Sequence, residues 1–479
     1  MKVDETIREL KKIISLKEGE NNYEVALLAA ETLSEINYEY NQIYTDKELE
    51  DELLIIRDKI LNKKEYNLDQ RCVFFYDGFG LDLRGLAAIY ARALTSLNYN
   101  IIYACPNTSQ GRIPHILSEF RPDKTDIVYI DKSISNIDRI KQINAIFEKY
   151  RPKAAFFYTY PSDVEAAIAF SNNESTTRFQ IDLTDHAFWI GVNAFDYIID
   201  GRDMGASIAH YGRKIPKNRI IKLDCAPYIN KDVCDIPFPF DLKTEKYIFT
   251  GGALYKTLGD PNLLYYKTID DILRTFLDIK FIYAGSGDDT EIQKIVSKYE
   301  GRAFLIDERS DFYELIKHSI LYLNSYPMFG GLMMRYAALA RRIPITLKHD
   351  NDSDGILINQ EQLDIEYDNY DDFITEIHKL ISDDNYRKQK EKRLVGSVMT
   401  EDDFVRNLSL LIEKYRTEYS FDEMNEFDTT EFRNEYKRRY TTSCLYQNIA
   451  KKANIRLFKY FPKEFIFGTI IKIKEKLRK

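Results

Sequence analysis

Apolar side chains recur at helical spacing through the first 65 residues. Leucine, isoleucine and alanine fall every three or four positions in ETIRELKKII, YEVALLAAETLSEINYEYNQI and DKELEDELLIIRDKILNK. This periodicity predicts three amphipathic helices. We therefore expect residues 1–66 to form a helical appendage.

From residue 71 the pattern changes to short apolar runs that alternate with helical stretches. Such runs, bounded by turn residues, are typical of buried strands, and their alternation with helices predicts a parallel sheet. The predicted strands are RCVFFYD (71–77), NIIYAC (100–105), DIVYID (126–131), AAFFYTY (154–160), RFQIDLTD (178–185), FDYIID (195–200) and RIIKLD (219–224).

The proline-containing segment DIPFPFDLK (235–243) interrupts this alternation, and a second set of strands follows it. We expect an α/β protein with two doubly wound Rossmann-like domains, one at 67–238 and one at 239–418, that bind ligands in a cleft at the strand ends. The second set of strands is KYIFTGG (246–252), KFIYAG (280–285), AFLIDE (303–308), ILYLNS (320–325) and IPITLK (343–348).

The last segment, 419–479, is predicted to be a basic helical tail. Residues 451–479 contain ten lysines and arginines against two glutamates, with aromatic residues between them. Two interpretations remain open: a basic helix that packs on the core, or a peripheral anchor on an anionic membrane surface. Pro462 and Gly468 argue against one continuous helix in this tail.

Charge and composition exclude several classes of protein. The net charge of −8 argues against a nucleic-acid-binding protein. Five scattered cysteines without a CxxC pair argue against a disulfide framework or a zinc site and favour a reducing compartment. The charged amino terminus predicts no signal peptide, and no apolar stretch reaches the ~18 residues of a membrane span. We expect a cytoplasmic protein, peripheral at most on the inner face of the plasma membrane.

Glycine is scarce, with 20 in 479 residues, so glycine clusters at predicted strand ends are informative. Gly251 and Gly252 end one strand, and Lys256 follows four residues later. A second strand ends at Gly285 and Ser286. Glycines let the backbone approach a ligand closely, and a lysine ammonium suits a phosphate oxygen. An ordinary solvated loop remains the alternative for the lysine segment taken alone.

The segment LNSYPMFGGLMMRYAALA carries the strongest signal. Gly330 and Gly331 fall where a helix is predicted to begin, and a helix start presents unpaired N–H groups and the positive end of the helix dipole. Such a start binds anions readily. We therefore predict a diphosphate-binding turn at this position.

Taken together, these segments resemble glycosyltransferases of the GT-B fold. ALYKTLGDPNLL is similar to the lysine-containing segment of the O-GlcNAc-transferase-like family, which includes bacterial cytoplasmic N-glucosyltransferases. LNSYPMFGGLMM resembles that family's proline- and glycine-containing turn, and TDHAFWIGVNAFDYIIDGRD resembles its histidine segment. IIKLDCAPYI resembles the strand that closes its first domain, so the resemblance covers residues 70–415.

The resemblance implies an enzyme that takes a sugar from a nucleotide diphosphate, UDP by expectation. Lys256 would stabilise the leaving UDP, and Asn324 would lie near the ribose. His186 would line the cleft near the sugar or acceptor. The donor-binding residues implied in this way are Gly251, Gly252, Lys256, Gly285, Ser286, Asn324, Pro327, Phe329, Gly330, Gly331, Leu332 and Met333.

The same resemblance bears on mechanism. Retaining GT-B enzymes that make bacterial polysaccharides usually have a glutamate in the final helix, whereas GGLMMRYAAL has no acid, which favours inversion. No metal or other cofactor is expected, because a lysine and backbone donors can stabilise the diphosphate. The general base remains open between His186, Asp185 and Asp77.

The acceptor is expected to be a glycan or a lipid-linked glycan. A protein asparagine or serine remains an alternative acceptor, and a catalytically silent partner subunit remains an alternative to an enzyme. The oligomeric state is open. Residues expected to bind the acceptor lie at two predicted strand ends and are Asp77, Gly78, Phe79, Arg84 and Asp185.

Overall fold

The computed structural model of the chain describes residues 3–80, 85–110, 114–229, 236–349, 355–421, 424–451 and 455–478. The chain divides into two compact units. The first unit is discontinuous and consists of Met1–Leu223 together with Val405–Lys479, and the second is Asp224–Phe404. Arg84, predicted to bind the acceptor, lies outside the described residues.

The first unit contains a sheet in which every described strand pair is parallel. Its described strands follow the order β3-β2-β1-β4-β5-β6-β7. Helices join most successive strands, as in a doubly wound fold, whereas the fifth and sixth strands are joined by a loop with a short 3₁₀ turn. The strands are β1 (Asp69–Asp77), β2 (Asn100–Pro106), β3 (Thr125–Ile130), β4 (Pro152–Tyr158), β5 (Thr177–Ile181), β6 (Tyr197–Asp200) and β7 (Ile220–Lys222).

Helices flank this sheet, and further helices precede its first strand and follow its last strand in the sequence. The three predicted N-terminal helices are confirmed. The helices from the amino-terminal part are α1 (Val3–Gly19), α2 (Tyr23–Tyr40), α3 (Lys47–Ile60), α4 (Gly85–Ser96), α5 (Pro114–Ser118), α6 (Asn136–Tyr150), α7 (Val164–Ser171) and α8 (Asp203–Ser207).

The N-terminal helices share one hydrophobic core with the sheet. Leu33 and Ile36 of α2 belong to the same buried cluster as Phe74 of β1 and Phe170 of α7. A buried carboxylate adds a polar contact, because Oε1 of Glu50 accepts the amides of Gly191 at 2.7 Å and Val192 at 3.1 Å. Residues 1–66 are therefore an integral layer of the first unit.

The second unit contains another parallel sheet, with its described strands in the order β10-β9-β8-β11-β12-β13. Two such sheets with flanking helices confirm the predicted α/β architecture. The strands are β8 (Tyr247–Gly251), β9 (Lys280–Ala284), β10 (Ala303–Ile306), β11 (Tyr322–Leu323), β12 (Pro344–Leu347) and β13 (Glu366–Tyr367).

The helices of this part cover both faces of the second sheet. Separate apolar clusters lie on the two faces, with Ile248 in one and Phe249 in the other, as expected for successive residues of a buried strand. The helices are α9 (Leu264–Thr275), α10 (Thr290–Lys298), α11 (Phe312–His318), α12 (Gly331–Leu339), α13 (Tyr370–Ser382) and α14 (Asp384–Arg393). The next helix, α15 (Glu401–Lys414), begins in the second unit and continues into the first.

The carboxyl-terminal segment returns to the first unit, where Leu445, Leu457 and Phe461 enter the core. The tail is not one continuous helix, as expected: it is interrupted between Phe458 and Pro462, whereas the break expected at Gly468 is absent, because the final helix runs through that residue. Pro462 occupies its first position, where a missing N–H costs nothing. No described helix has the length and apolar composition to cross a membrane. The helices are α16 (Thr430–Arg439), α17 (Thr442–Ala450), α18 (Ile455–Phe458) and α19 (Pro462–Arg478).

Candidate functional site

The ends of β8 and β9 approach each other closely through glycine. The amide of Gly252 donates to the carbonyl of Ala284 at 3.0 Å, and the amide of Leu254 donates to the carbonyl of Ser286 at 2.9 Å. A Cβ atom at Gly285 would lie 1.9 Å from the carbonyl oxygen of Gly252. Gly252 has φ +139°, which favours glycine. These two glycines therefore shape the loop that leads to Lys256.

Lys256 lies in a short 3₁₀ turn and points toward the start of α12. Its backbone carbonyl accepts the amide of Met328 at 3.1 Å. Its Nζ donates to the carbonyl of Phe329 at 3.4 Å. Burial lowers the pKa of the Lys256 ammonium. No carboxylate among the described residues forms an ion pair with it, so this partly desolvated cation has no counter-ion in the part of the chain that the structure describes.

Asn324 fixes the turn that precedes α12. Its Oδ1 accepts the amides of Ser325 at 3.1 Å and of Gly330 at 2.9 Å. Its Nδ2 donates to Oγ1 of Thr346 on the neighbouring strand at 3.1 Å. The hydroxyl of Ser325 closes the loop by donating to the carbonyl of Met328 at 2.7 Å. The amide that the resemblance places near a ribose thus holds the loop together.

Helix α12 begins at Gly331, as the sequence predicts. The amide of Met334 donates to the carbonyl of Gly330 at 2.9 Å, which is the first turn of the helix. The amides of Gly331, Leu332 and Met333 therefore have no intrahelical acceptor. A Cβ at Gly331 would lie 3.0 Å from the Phe329 ring, so the glycine relieves crowding at this end.

The structure brings most of the predicted donor-site residues of the second unit together. The lysine ammonium, the polarised start of α12 and the glycine loop at the ends of β8 and β9 form one positively polarised site. Pro327 follows a cis peptide bond in the turn. The hydroxyl of Ser286 donates to Oε1 of Glu308 at 2.8 Å, at the rim of the site.

Sequence inspection missed the contacts that support α12 from the side. Arg335, on the first turns of α12, forms a salt bridge with Asp224. Tyr336 donates its hydroxyl to the carbonyl of Tyr228. These partners are separated by more than 100 positions in the chain, so no local spacing reveals them.

The other predicted catalytic residue, His186, belongs to the first unit. Its Nδ1 lies 3.1 Å from Oδ1 of Asp185. Arg202 forms a two-pronged ion pair with that carboxylate, through Nε and through Nη2 at 2.8 Å. Although burial opposes it, Arg202 holds the pKa of Asp185 well below its usual range. An ionised carboxylate only accepts hydrogen bonds, so the tautomer of His186 that suits this contact has its proton on Nδ1 and leaves Nε2 as an acceptor.

Two further buried carboxylates surround this pair and were not predicted. Burial, together with the charges of Asp185 and Asp182, raises the pKa of Asp200 well above its usual range. A Cβ at Gly205 would lie 2.3 Å from the Asp200 carboxylate and 2.6 Å from that of Asp185. The raised pKa favours the neutral form of Asp200, and Gly205 leaves room for the side chains of Asp200 and Asp185.

The predicted acceptor residues at the end of β1 form a tight turn. Asp77 is buried; its Oδ1 accepts the amide of Gly80 at 3.0 Å and its Oδ2 accepts the hydroxyl of Tyr103 at 2.6 Å. A Cβ at Gly78 would overlap Thr159 Oγ1 at 1.8 Å. Asp77 and Gly78 therefore shape the turn that presents Phe79.

The first unit also contains a cavity of about 590 Å³ that the sequence did not predict. Its walls include Tyr44, Tyr211, Lys214, Glu426 and Arg433. These side chains come from three distant segments of the chain, and their mixture of aromatic and polar groups is typical of small-molecule sites. Within the described residues, no group of three or more histidines, cysteines and acids is arranged to hold a metal ion.

No protein-family model matches the chain, and no curated protein matches it by sequence. Solved structures do resemble it. A Listeria monocytogenes protein assigned as a UDP-N-acetylglucosamine 2-epimerase matches with TM-score 0.53 and 13% identity, over 74% of this chain and 99% of that one. A mutant O-GlcNAc transferase of Thermobaculum terrenum matches with TM-score 0.51 and 13% identity, over 91% of this chain and 81% of that one.

A third structure, HepE of Anabaena in complex with UDP and glucose, matches with TM-score 0.50 and 10% identity, over 71% of this chain and 98% of that one. At such identities the likeness shows the fold. The chain has the GT-B fold, with two Rossmann-like sheets as its framework. The predicted fold class is therefore confirmed.

Proposed function

We propose that the protein is a glycosyltransferase that moves a sugar from a UDP-linked donor to a hydroxyl of a glycan or lipid-linked glycan. The observation that carries this proposal is Lys256. Its ammonium is partly desolvated, lacks a carboxylate partner among the described residues, and lies at the start of α12. The GT-B fold shared with proteins that bind UDP or act on UDP-sugars supports the choice of donor.

The chemistry of the leaving group explains why this arrangement suits transfer. When the bond between the anomeric carbon and the diphosphate breaks, negative charge develops on the departing UDP. Hydrogen-bond donors that already point at this developing charge usually make the largest single contribution to lowering the activation barrier. Removal of one such donor typically lowers kcat by about 10²–10³. Lys256 and the amides at Gly331 and Leu332 are donors of this kind.

The first unit supplies the base in this proposal. The acceptor hydroxyl attacks the anomeric carbon, its proton passes to Nε2 of His186, and the electron pair of the broken bond leaves with UDP. Asp185 orients His186 and stabilises the imidazolium that forms. The absence of an acid from α12 (GLMMRYAAL) favours this single, inverting displacement. We propose that the acceptor binds in the first unit, beside Asp77, Gly78, Phe79 and Asp185.

A second candidate is an enzyme that rearranges the sugar of a nucleotide sugar. The likeness to a protein assigned as a UDP-N-acetylglucosamine 2-epimerase favours it, because that protein has the same fold. A transferase with a protein acceptor and a catalytically silent partner subunit are a third and a fourth candidate. Product analysis separates all four, since transfer yields free UDP and a modified glycan or peptide, epimerisation retains the nucleotide sugar, and a silent subunit yields no product.

The experiment combines calorimetric titration with UDP and incubation with a panel of nucleotide sugars and glycan or peptide acceptors. We expect UDP to bind the wild type, Lys256→Met to weaken binding at least tenfold, and Lys267→Met, an exposed lysine on α9, to bind normally. Release of UDP that depends on a glycan acceptor is the expected product. Absence of heat with every nucleotide tested contradicts the proposal, as does a Lys256→Met variant with full turnover.

A further inference from the structure

Helix α19 packs one face against the protein and leaves another largely exposed, with Phe467 at the edge, where its ring stacks on that of Tyr446. On the packed face, a Cβ at Gly468 would lie 2.0 Å from the carbonyl oxygen of Tyr446 and 2.8 Å from the Cβ of Ala450, both on α17. Phe461, just before the helix, is buried. Gly468 therefore lets α19 lie directly on α17, which fixes the side that faces outward.

The exposed face of α19 is apolar. The exposed fractions are 48% for Ile466, 53% for Phe467, 42% for Ile470 and 54% for Ile473. Residues three and four apart lie on the same side of a helix, so these side chains form one strip, the α19 strip. Phe458, 37% exposed on α18, adds a fifth apolar side chain nearby in the chain.

This concentration of exposed apolar residues is unusual for the molecule. Fifteen large apolar side chains are exposed among the described residues, and five of them lie within residues 458–473. Single exposed apolar residues are normal on any protein surface, whereas contiguous ones mark an interaction site. The α19 strip is therefore a candidate docking surface.

Charge identifies the kind of partner. Residues 451–479 have a net charge of +8, whereas the whole chain has −8. Lys459, Lys463 and Lys474 are exposed and form no ion pair within the described part of the chain. A second copy of this helix would bring like charge against like charge, which disfavours self-association through the strip. An anionic lipid surface satisfies both the lysines and the apolar strip.

We propose that α19 is a peripheral membrane-binding helix. It lies in the plane of an anionic bilayer surface, and the side chains of the α19 strip insert below the headgroups. These are Ile466, Phe467, Ile470 and Ile473. The helix is not long and apolar enough to cross a membrane. Lysines beside the strip contact lipid phosphates. This inference does not rest on the proposed transferase activity, and binding can be measured without any substrate.

Vesicle sedimentation of the full chain tests the proposal. We expect the protein to sediment with vesicles of phosphatidylcholine and phosphatidylglycerol at 7:3 and to stay in solution with pure phosphatidylcholine, and we expect ~0.5 M salt to weaken binding because it screens charge. The double variant Phe467→Ser with Ile470→Ser should lower the partition coefficient at least tenfold. Leu277→Ser, which alters an exposed apolar residue of the second unit, should leave it unchanged.

A fluorescence measurement distinguishes insertion from electrostatic adsorption. Phe467→Trp places an indole in the strip, and Trp189 is buried, so it contributes a constant background. We expect a blue shift of the new emission on addition of anionic vesicles. Unchanged emission, equal binding to neutral and anionic vesicles, or no binding overturns the proposal. Light scattering tests the alternative of self-association. If the wild type is a dimer that does not bind vesicles, and the double variant Phe467→Ser with Ile470→Ser is a monomer, the membrane proposal is overturned in favour of self-association.

Discussion

Oδ1 of Asn324 accepts the amide of Gly330 at 2.9 Å, so the residue that follows β11 fixes the start of α12 six positions later. The same oxygen accepts the amide of Ser325 at 3.1 Å. Because the side chain of Asn324 is buried, these bonds are formed without competition from water. The geometry of the candidate diphosphate site therefore depends on a residue that need not touch the ligand.

We predict that Asn324→Ala weakens both the fold of the second unit and its binding of UDP. The substitution leaves two buried amides and the Thr346 hydroxyl without this partner, and each buried unsatisfied group costs about 1–3 kcal/mol. Thermal unfolding should shift to lower temperature, and calorimetric affinity for UDP should fall at least tenfold. Asn262→Ala, at an exposed position of the same unit, serves as the control and should change neither quantity. Normal UDP affinity in Asn324→Ala would show that the turn does not determine the site.

We predict that Gly285→Ala destabilises the second unit by about 1–3 kcal/mol, because the new methyl group would overlap the Gly252 carbonyl and force the two loops apart. Differential scanning calorimetry measures the effect and resolves the two units if they unfold separately. Gly19→Ala is the matched control, since a Cβ at that position contacts nothing within 4 Å. Equal stability of both variants would contradict the close approach of β8 and β9.

We predict that the stability of the first unit decreases as pH rises from about 4.5 to about 7, because of Glu50. Burial raises the pKa of Glu50 from 4.5 to about 7. The folded state therefore binds the proton more tightly than the unfolded state, and its advantage is lost as pH rises through this window. The loss amounts to at most about 3 kcal/mol.

Glu50→Gln tests this prediction, because glutamine retains the oxygen that accepts the amides of Gly191 and Val192 and cannot ionise. Its melting temperature should exceed that of the wild type at pH 8, and the difference should shrink toward pH 5. Glu48→Gln, an exposed carboxylate on the same helix, should follow the wild-type profile. Parallel profiles for wild type and Glu50→Gln would exclude Glu50 as the titrating group.

We predict that His186→Gln lowers kcat by about 10²–10⁴, the usual contribution of a general base, while UDP affinity stays unchanged because the diphosphate site lies in the second unit. Steady-state rates and calorimetry together separate these two effects. His210→Gln is the control: Nδ1 of His210 lies 2.9 Å from the carbonyl of Ile215, and this histidine has no role in the proposed reaction. Full activity in His186→Gln would transfer the role of base to another group.

The sequence predicts the two sheets well because buried parallel strands are continuous apolar runs. RCVFFYD and KYIFTGG, for example, correspond to β1 and β8. β13 was missed because it has only two residues, Glu366 and Tyr367, and neither is fully buried. The break expected in the tail occurs before Pro462, but none occurs at Gly468, because close packing of that glycine against α17 outweighs its low helix propensity.

The candidate site was predictable only where chemistry follows local spacing. Lys256 and Gly331 follow strand ends, so their placement near one another could be inferred from the doubly wound pattern. The ion pair between Asp185 and Arg202 was not inferred, because the predicted strand RFQIDLTD (178–185) included Asp185, whereas β5 ends at Ile181 and leaves Asp185 in the loop that follows. The role of Asn324 depends on the conformation of a loop, which side-chain type alone does not determine.

The division of the chain has a consequence for its synthesis. Leu445, Ile449, Leu457 and Phe461 complete the core of the first unit, so that unit cannot finish folding until residues 445–461 have left the ribosome. The second unit, Asp224–Phe404, is fully synthesised before then. During translation the second unit can therefore complete its folding first. The sheet of the first unit is synthesised earlier but cannot be completed until the carboxyl-terminal helices are available.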